Sequence, residues 1–189
     1  MVDRENALEK LAAVVATVQR VAIDGVDAAG KTILANELAQ VLEQLGQQAK
    51  RGSIDDFHRP EAERYRRGYE SPDGYYHDSF DYEAARRWIS SSGQGVLLFD
   101  GIFLMRPELN DLWDLRIFID VDREEALRRA VRRDAELWGS EAAARRRYRV
   151  FSKTTSARRL GSKPESPSLV FREKAARSSH AAPLLRPQE

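Results

Sequence analysis

The chain contains no cysteine. That excludes disulfides, thiolate metal sites and cysteine nucleophiles. Histidine is nearly as scarce: His58, His77 and His180 are too scattered to form a histidine metal cluster. No apolar run approaches the roughly 18 residues of a membrane-spanning helix. Residues 1–20 do hold apolar positions, but Asp3, Arg4, Glu5, Glu9 and Lys10 break them up, which describes an amphipathic helix and not a signal peptide. We therefore expect a cytoplasmic protein without a membrane partner. An excess of one charge is missing too. Lysine and arginine number 31 against 30 acids, so the overall charge does not argue for a nucleic-acid partner. What remains, in 189 residues, is enough for one α/β domain with a real core.

The chain is organised around Gly25-Val26-Asp27-Ala28-Ala29-Gly30-Lys31-Thr32. An apolar run, Val21-Ala22-Ile23, precedes it, and a helix-like run with Leu34, Leu38, Val41, Leu42 and Leu45 on one face follows. This is G-x-x-x-x-G-K-[ST] between a strand and a helix, the context in which the pattern signifies a phosphate-binding loop. The glycines let the backbone curl so that its N–H groups point inward as an anion nest. The helix adds unpaired N–H groups and the positive end of its dipole. Lys31 is placed to reach the β- and γ-phosphates of a nucleoside triphosphate such as ATP, and the Thr32 hydroxyl to bind Mg²⁺.

Further elements follow in order. Leu8, Leu11, Ala12, Val15 and Val18 recur at helical spacing. Residues 50–54 form a weak strand ending in Asp55-Asp56-Phe57-His58. Residues 59–80 read as a short helix followed by loop, and Asp81 caps another helix. Val96 to Phe99 is an unbroken apolar run typical of a strand buried on both faces, and it ends in Asp100-Gly101. Residues 115–119 give one more strand. Asp122 then starts a helix, with Glu125 as its capping-box partner. On that helix Ala126, Leu127, Ala130, Val131 and Leu137 share a face. Arg129 and Arg133 sit at its edge, and Asp134 falls within the apolar stripe, so the helix ends there or the acid is paired. Strands alternating with helices predict a P-loop NTPase fold: three layers, α/β/α, with a mostly parallel central sheet. We expect this domain to span residues 1–151. Residues 152–189 hold four of the seven prolines and eight basic residues against three acids, a composition expected of a disordered basic tail.

Several residues could carry chemistry at the carboxyl ends of the strands, where ligands of such sheets bind. Asp100 can hold Mg²⁺ directly or through water, or can simply belong to an Asp-Gly turn. Neighbouring side chains on an extended chain point to opposite faces, so one of Asp55 and Asp56 faces the phosphates and could take the proton of a hydroxyl. The other could cap the next helix. Arg129, Arg133 and the run Arg145 to Arg147 could neutralise transferring phosphate, or lie on a solvated face. Tyr69, Tyr75, Tyr76, His77 and Phe80 could stack a nucleobase or pack beneath a loop.

The combination of Ile23 to Thr32, Asp55-Asp56-Phe57-His58-Arg59-Pro60, Arg64-Tyr65-Arg66-Arg67-Gly68, Ser71 to Tyr76, Asp78-Ser79-Phe80-Asp81, Leu98-Phe99-Asp100-Gly101 and Asp114 to Asp134 resembles uridine kinase and related nucleoside kinases of the P-loop superfamily, especially a bacterial branch. That family phosphorylates the 5′-hydroxyl of uridine or cytidine with a nucleoside triphosphate and Mg²⁺. The resemblance implies that Asp55 is the base and that His58 contacts the nucleoside. It implies that Tyr75, Tyr76 and Asp78 belong to a stretch lining the substrate pocket, and that Arg129 and Arg133 lie on the helix leading into a mobile lid. The chain departs from the pattern twice. The link between Trp88 and Val96 is short where relatives carry an insert, and the carboxyl-terminal pattern stops near Tyr148-Arg149. The expected activity is that of an ATP-dependent nucleoside kinase. The alternatives are a kinase for another small molecule, such as pantothenate or thymidylate kinase, and a nucleotide-binding protein without kinase activity.

Overall fold

A computed structural model describes residues 4–148, 168–173 and 184–187. Six strands form one sheet in the order β2-β3-β1-β4-β5-β6. They are β1 (Arg20–Gly25), β2 (Ala49–Ser53), β3 (Val96–Gly101), β4 (Leu115–Val121), β5 (Ser168–Glu173) and β6 (Leu184–Pro187). The first five run parallel, and β6 pairs antiparallel with β5 at the edge. The helices are α1 (Arg4–Val15), α2 (Lys31–Gln44), α3 (Glu61–Arg64), α4 (Pro72–His77), α5 (Tyr82–Ser90), α6 (Pro107–Asn110) and α7 (Arg123–Asp134), and residues 141–148 are helical as well.

The three layers follow from the two-residue period of the buried strands. Val21 and Ile23 of β1 and Leu98 of β3 turn to one face, where α1 and α2 deliver Leu11, Val15, Leu34, Leu38 and Leu42. Ala22, Leu97 and Phe99 turn to the other, under Phe80, Ile89, Leu104 and Trp113. A smaller cluster of Leu127, Val131 and Ala144, with Trp138 and Tyr148 against it, joins α7 to residues 141–148. Burying these side chains contributes about 1.5–3 kcal/mol each.

Local chemistry sets the helix ends. Gly46 stops α2 at φ 75, with its N–H donated to Glu43 O and that of Gln47 to Leu42 O, the paired bonds of a Schellman motif. Asp81 caps α5 through Ala84 N at 2.9 Å. Asp122 caps α7 through Glu124 N and Glu125 N, but the Glu125 carboxylate turns to Arg128 and Arg129 and not back to the cap. The 59–80 stretch holds a second helix beyond the one expected: Ser71 accepts Gly74 N and Pro72 supplies a preset first position, so α4 forms. Leu137 does not join the apolar face of α7. The helix stops at Asp134, and Leu137 is 74% exposed.

The sheet runs past the boundary expected at residue 151. Ser168 pairs with Arg116 and Glu173 with Val121, so β5 closes the open edge of β4, and Phe171 is buried in the α1–α2 core. Apart from β5 and β6, the expected tail lies outside the described residues.

β2 meets α5 with no space to spare. A Cβ on Gly52 would come within 2.6 Å of the Trp88 ring and 2.9 Å of Phe99. Gly52→Ala is expected to lower stability by about 1–3 kcal/mol, the usual cost of overpacking. Urea unfolding should show a reduced midpoint at unchanged slope; an unchanged midpoint would mean that Trp88 does not pack over β2.

Candidate active site

The glycine loop that carries Gly25 to Thr32 leaves the carboxyl end of β1 and enters α2. Its left-handed positions are Ala28 at φ 58 and Gly30 at φ 92. Gly25 serves a different purpose: a Cβ there would lie 3.0 Å from Ile119 O, so it lets β4 approach the loop. Asp24, buried just before it, accepts Gly25 N at 2.6 Å and Leu104 N at 2.9 Å, tying the loop to the segment after β3. Burial pushes its pKa up to about 6, against the opposing pull of Lys31 and the backbone N–H groups. The Lys31 ammonium donates to Gly25 O at 3.0 Å and Val26 O at 2.9 Å, lying back across its own loop. Thr32 Oγ1 donates to Asp100 Oδ2 at 2.7 Å.

A cavity of about 850 Å³ opens over this loop. Of the loop residues, Asp27, Ala28, Gly30, Lys31 and Thr32 line it; Gly25 and Ala29 are buried beneath, and Val26 faces a smaller cavity beside β4 and α7. Asp55, His58, Tyr75, Asp100, Arg129 and Arg133 line it as well. The adjacent acids are not sorted by an extended chain. Residues Ile54–Phe57 form a 3₁₀ turn whose cap is Ser53, and that turn sets Asp55 at the cavity while Asp56 is outside its lining. Asp56 does not cap α3, which starts after Pro60.

The walls crowd the Asp55 carboxyl and push its pKa above the ordinary carboxylate value. Asp27 and Asp100 add to the shift, and His58 and Lys31 oppose it. His58 Nδ1 lies 2.8 Å from Asp55 O, and its ring packs 4.5 Å from that of Phe80. Tyr75 donates its hydroxyl to Asp27 at 2.9 Å, linking α4 to the phosphate loop. Asp100 is held from two sides, by Thr32 and by Arg51 of β2 at 2.5 Å; Arg51 also donates to Asn36 on α2.

Two residues expected at the pocket lie elsewhere. Tyr76 is outside the cavity lining, and its carbonyl accepts from the buried Arg106. Asp78 is buried and its two oxygens accept from Arg66 and Arg67 at 2.5 and 2.7 Å, pairs that hold its pKa below the usual value. The arginines of α7 reach the cavity already engaged. Arg129 bonds Glu125 at 2.7 Å, and Arg133 grips both oxygens of Asp134 and touches the Tyr148 hydroxyl. Asp134 both ends α7 and is paired, as its position on the apolar stripe required.

The far wall comes from residues that the sequence places apart: Arg64, Tyr65 and Tyr69 on one side, and Trp138, Arg147 and Tyr148 on the other. Arg64-Tyr65 and Arg147 stood within noted motifs, but nothing local signals that they meet.

Thr32 and Asp100 supply hard oxygen atoms side by side, which suits Mg²⁺ bound with a triphosphate. Among the described residues no group of three or more His, Asp or Glu could hold a metal by itself. No described helix is long and apolar enough to cross a membrane.

No protein-family model matches the chain. Solved structures do. A candidate fructose transport system kinase from Silicibacter sp. superposes with a TM-score of 0.69 at 20% identity, over 85% of this chain and 97% of that one. A candidate uridine kinase from Bacillus stearothermophilus gives 0.59 at 19% identity, over 88% and 97%. D-glycerate 3-kinase from Cryptococcus neoformans gives 0.61 at 11% identity, over 89% and 95%. At these identities the likeness is one of fold, a three-layer α/β architecture with a largely parallel sheet.

Proposed function

We propose that this protein is an ATP- and Mg²⁺-dependent kinase that phosphorylates a hydroxyl of a small molecule. The observation that carries the reading is the meeting of Lys31, Thr32, Asp100 and Asp55 at one cavity. An ordinary glycine turn would need none of these four groups to meet. The nucleoside acceptor, uridine or cytidine, rests on the sequence resemblance, with His58 and Tyr75 as the residues that would touch it.

The chemistry follows from the placement. Lys31 exchanges its two carbonyl partners for the β- and γ-phosphate oxygens, which are stronger acceptors. The loop N–H groups cradle the same phosphates. Mg²⁺, held by Thr32 and Asp100, would neutralise phosphate charge. Asp55 accepts the proton of the acceptor hydroxyl as that oxygen bonds to the γ-phosphorus. The bond from phosphorus to the bridging oxygen breaks, and ADP leaves with the electron pair. Arg129 and Arg133, released from Glu125 and Asp134, would spread the charge that develops on the equatorial oxygens.

Purified protein with ATP, Mg²⁺ and a panel of nucleosides, sugars and hydroxy acids should phosphorylate at least one acceptor. Asp55→Asn should lower kcat by about 10²–10⁴-fold, the range for a general base. Lys31→Ala should abolish turnover and weaken ATP binding. Equal product from wild type and both variants would end the kinase reading.

The pH profile adds an independent check. Asp55 must be ionised to act, and its pKa is raised, so kcat/KM should fall as pH drops through a value above that of an unshifted aspartate. Asp55→Asn should remove that acid limb. A limb at the unshifted carboxylate value, or one that persists in the variant, would assign the base elsewhere.

A further inference from the structure

Four arginines line this cavity: Arg64, Arg129, Arg133 and Arg147. Arg129 pairs with Glu125 and Arg133 with Asp134. Outside its lining, Arg59 pairs with Glu63, and Arg66 and Arg67 with Asp78. Arg64 has no such match. It ends α3 and lines the cavity. Its guanidinium lies 5.4 Å from the Tyr65 ring centroid, no carboxylate among the described residues pairs with it, and its Nε has no hydrogen-bond acceptor. The acids of the same cavity do not offer a partner. Asp27 takes the Tyr75 hydroxyl, Asp100 takes Arg51 and Thr32, and Asp134 takes Arg133. Asp55 is the proposed base.

Arg147 reaches the same ring from the opposite side of the chain. Its guanidinium stands 5.6 Å from the Tyr65 centroid, 4.3 Å from Tyr69 and 4.2 Å from Trp138. It donates to the Tyr65 hydroxyl and to Tyr69 O, each at 3.2 Å. Contacts with three rings hold the guanidinium in place and leave it charged. Two arginines therefore converge on Tyr65, in the cavity that also holds Asp55. Planar guanidinium groups match the oxygens of carboxylate and phosphate.

We propose that the acceptor carries an anionic group, a carboxylate or a phosphate, in addition to the reacting hydroxyl, and that Arg64 and Arg147 bind it against the wall formed by Tyr65, Tyr69 and Trp138. The proposal rests on the kinase reading for its hydroxyl and on the unmatched Arg64 for its charge. It changes the acceptor class from an uncharged nucleoside to a hydroxyl-bearing anion. Asp78 agrees with this: its oxygens belong to Arg66 and Arg67, so it adds no negative charge to the cavity.

The test uses the full chain saturated with Mg²⁺ and a non-hydrolysable ATP analogue. Three matched pairs are titrated into it: glycerate with glycerol, fructose 6-phosphate with fructose, and uridine 3′-monophosphate with uridine. The same pairs are assayed with ATP for product. In at least one pair the charged member should bind, and be phosphorylated, at least about tenfold better, the scale of one charge-assisted hydrogen bond. The pair that responds identifies the source of the anion. Arg64→Ala and Arg147→Ala should each erase that advantage while analogue affinity stays unchanged, and Arg64→Lys should keep part of it. Equal or better binding of the uncharged member in all three pairs would overturn the proposal. So would a fall in analogue affinity in Arg64→Ala, which would assign Arg64 to the ATP phosphates, or an equal loss for charged and uncharged members. Charged-pair binding without product from any compound would defeat the kinase reading and leave the anion site standing.

Discussion

The parallel pairing of β3 with both β1 and β2 is the constraint on which the site depends. It sets Asp100 beside Ile23 on one neighbour and beside Ser53 on the other. All three strands then deliver their carboxyl ends to one edge. The phosphate loop leaves from β1, the turn carrying Asp55 leaves from β2, and the acid that meets Thr32 closes β3. Glycine marks where strands and loops crowd together. Gly25 makes room for β4, and at Gly101 the missing side chain leaves room for Ile54, so the turn that carries Asp55 can lie directly over β3. Asp24 completes the arrangement, since its buried carboxylate pins the start of the loop to Leu104.

The parts of the fold legible in the sequence are those that local pattern determines. β1, the loop and α2 declare themselves through a buried apolar run, a glycine signature and a stripe at helical spacing. Asp81, Asp122 and Gly46 mark helix ends because capping is a contact between near neighbours. β5 was not legible. Ser168 to Phe171 is a short apolar run among prolines and serines, and it becomes a strand because the open edge of β4 needs a partner for its backbone groups. The 3₁₀ turn at Asp55 was equally hidden, since a strand continuing past Ser53 has the same residue pattern. Asp78 shows the limit at the site. Whether an acid faces a cavity or pairs with arginines eleven and twelve residues earlier is a tertiary fact.

The two walls of the cavity differ in kind. The loop wall is built from contiguous residues and carries groups suited to phosphate. The far wall joins Tyr65 and Tyr69 to Trp138 and Arg147 across a long stretch of chain, so each side depends on the other for its position.

The most direct measurement follows the γ-phosphate itself. ATP labelled at the γ position is incubated with the protein, Mg²⁺ and hydroxyl-bearing acceptors, and the label is located in the products. If Lys31, Thr32, Asp100 and Asp55 act together on one reaction, the label appears on an acceptor hydroxyl and ADP forms in equal amount. Label that remains in ATP, or passes only to water as inorganic phosphate while ATP binds normally, would contradict it.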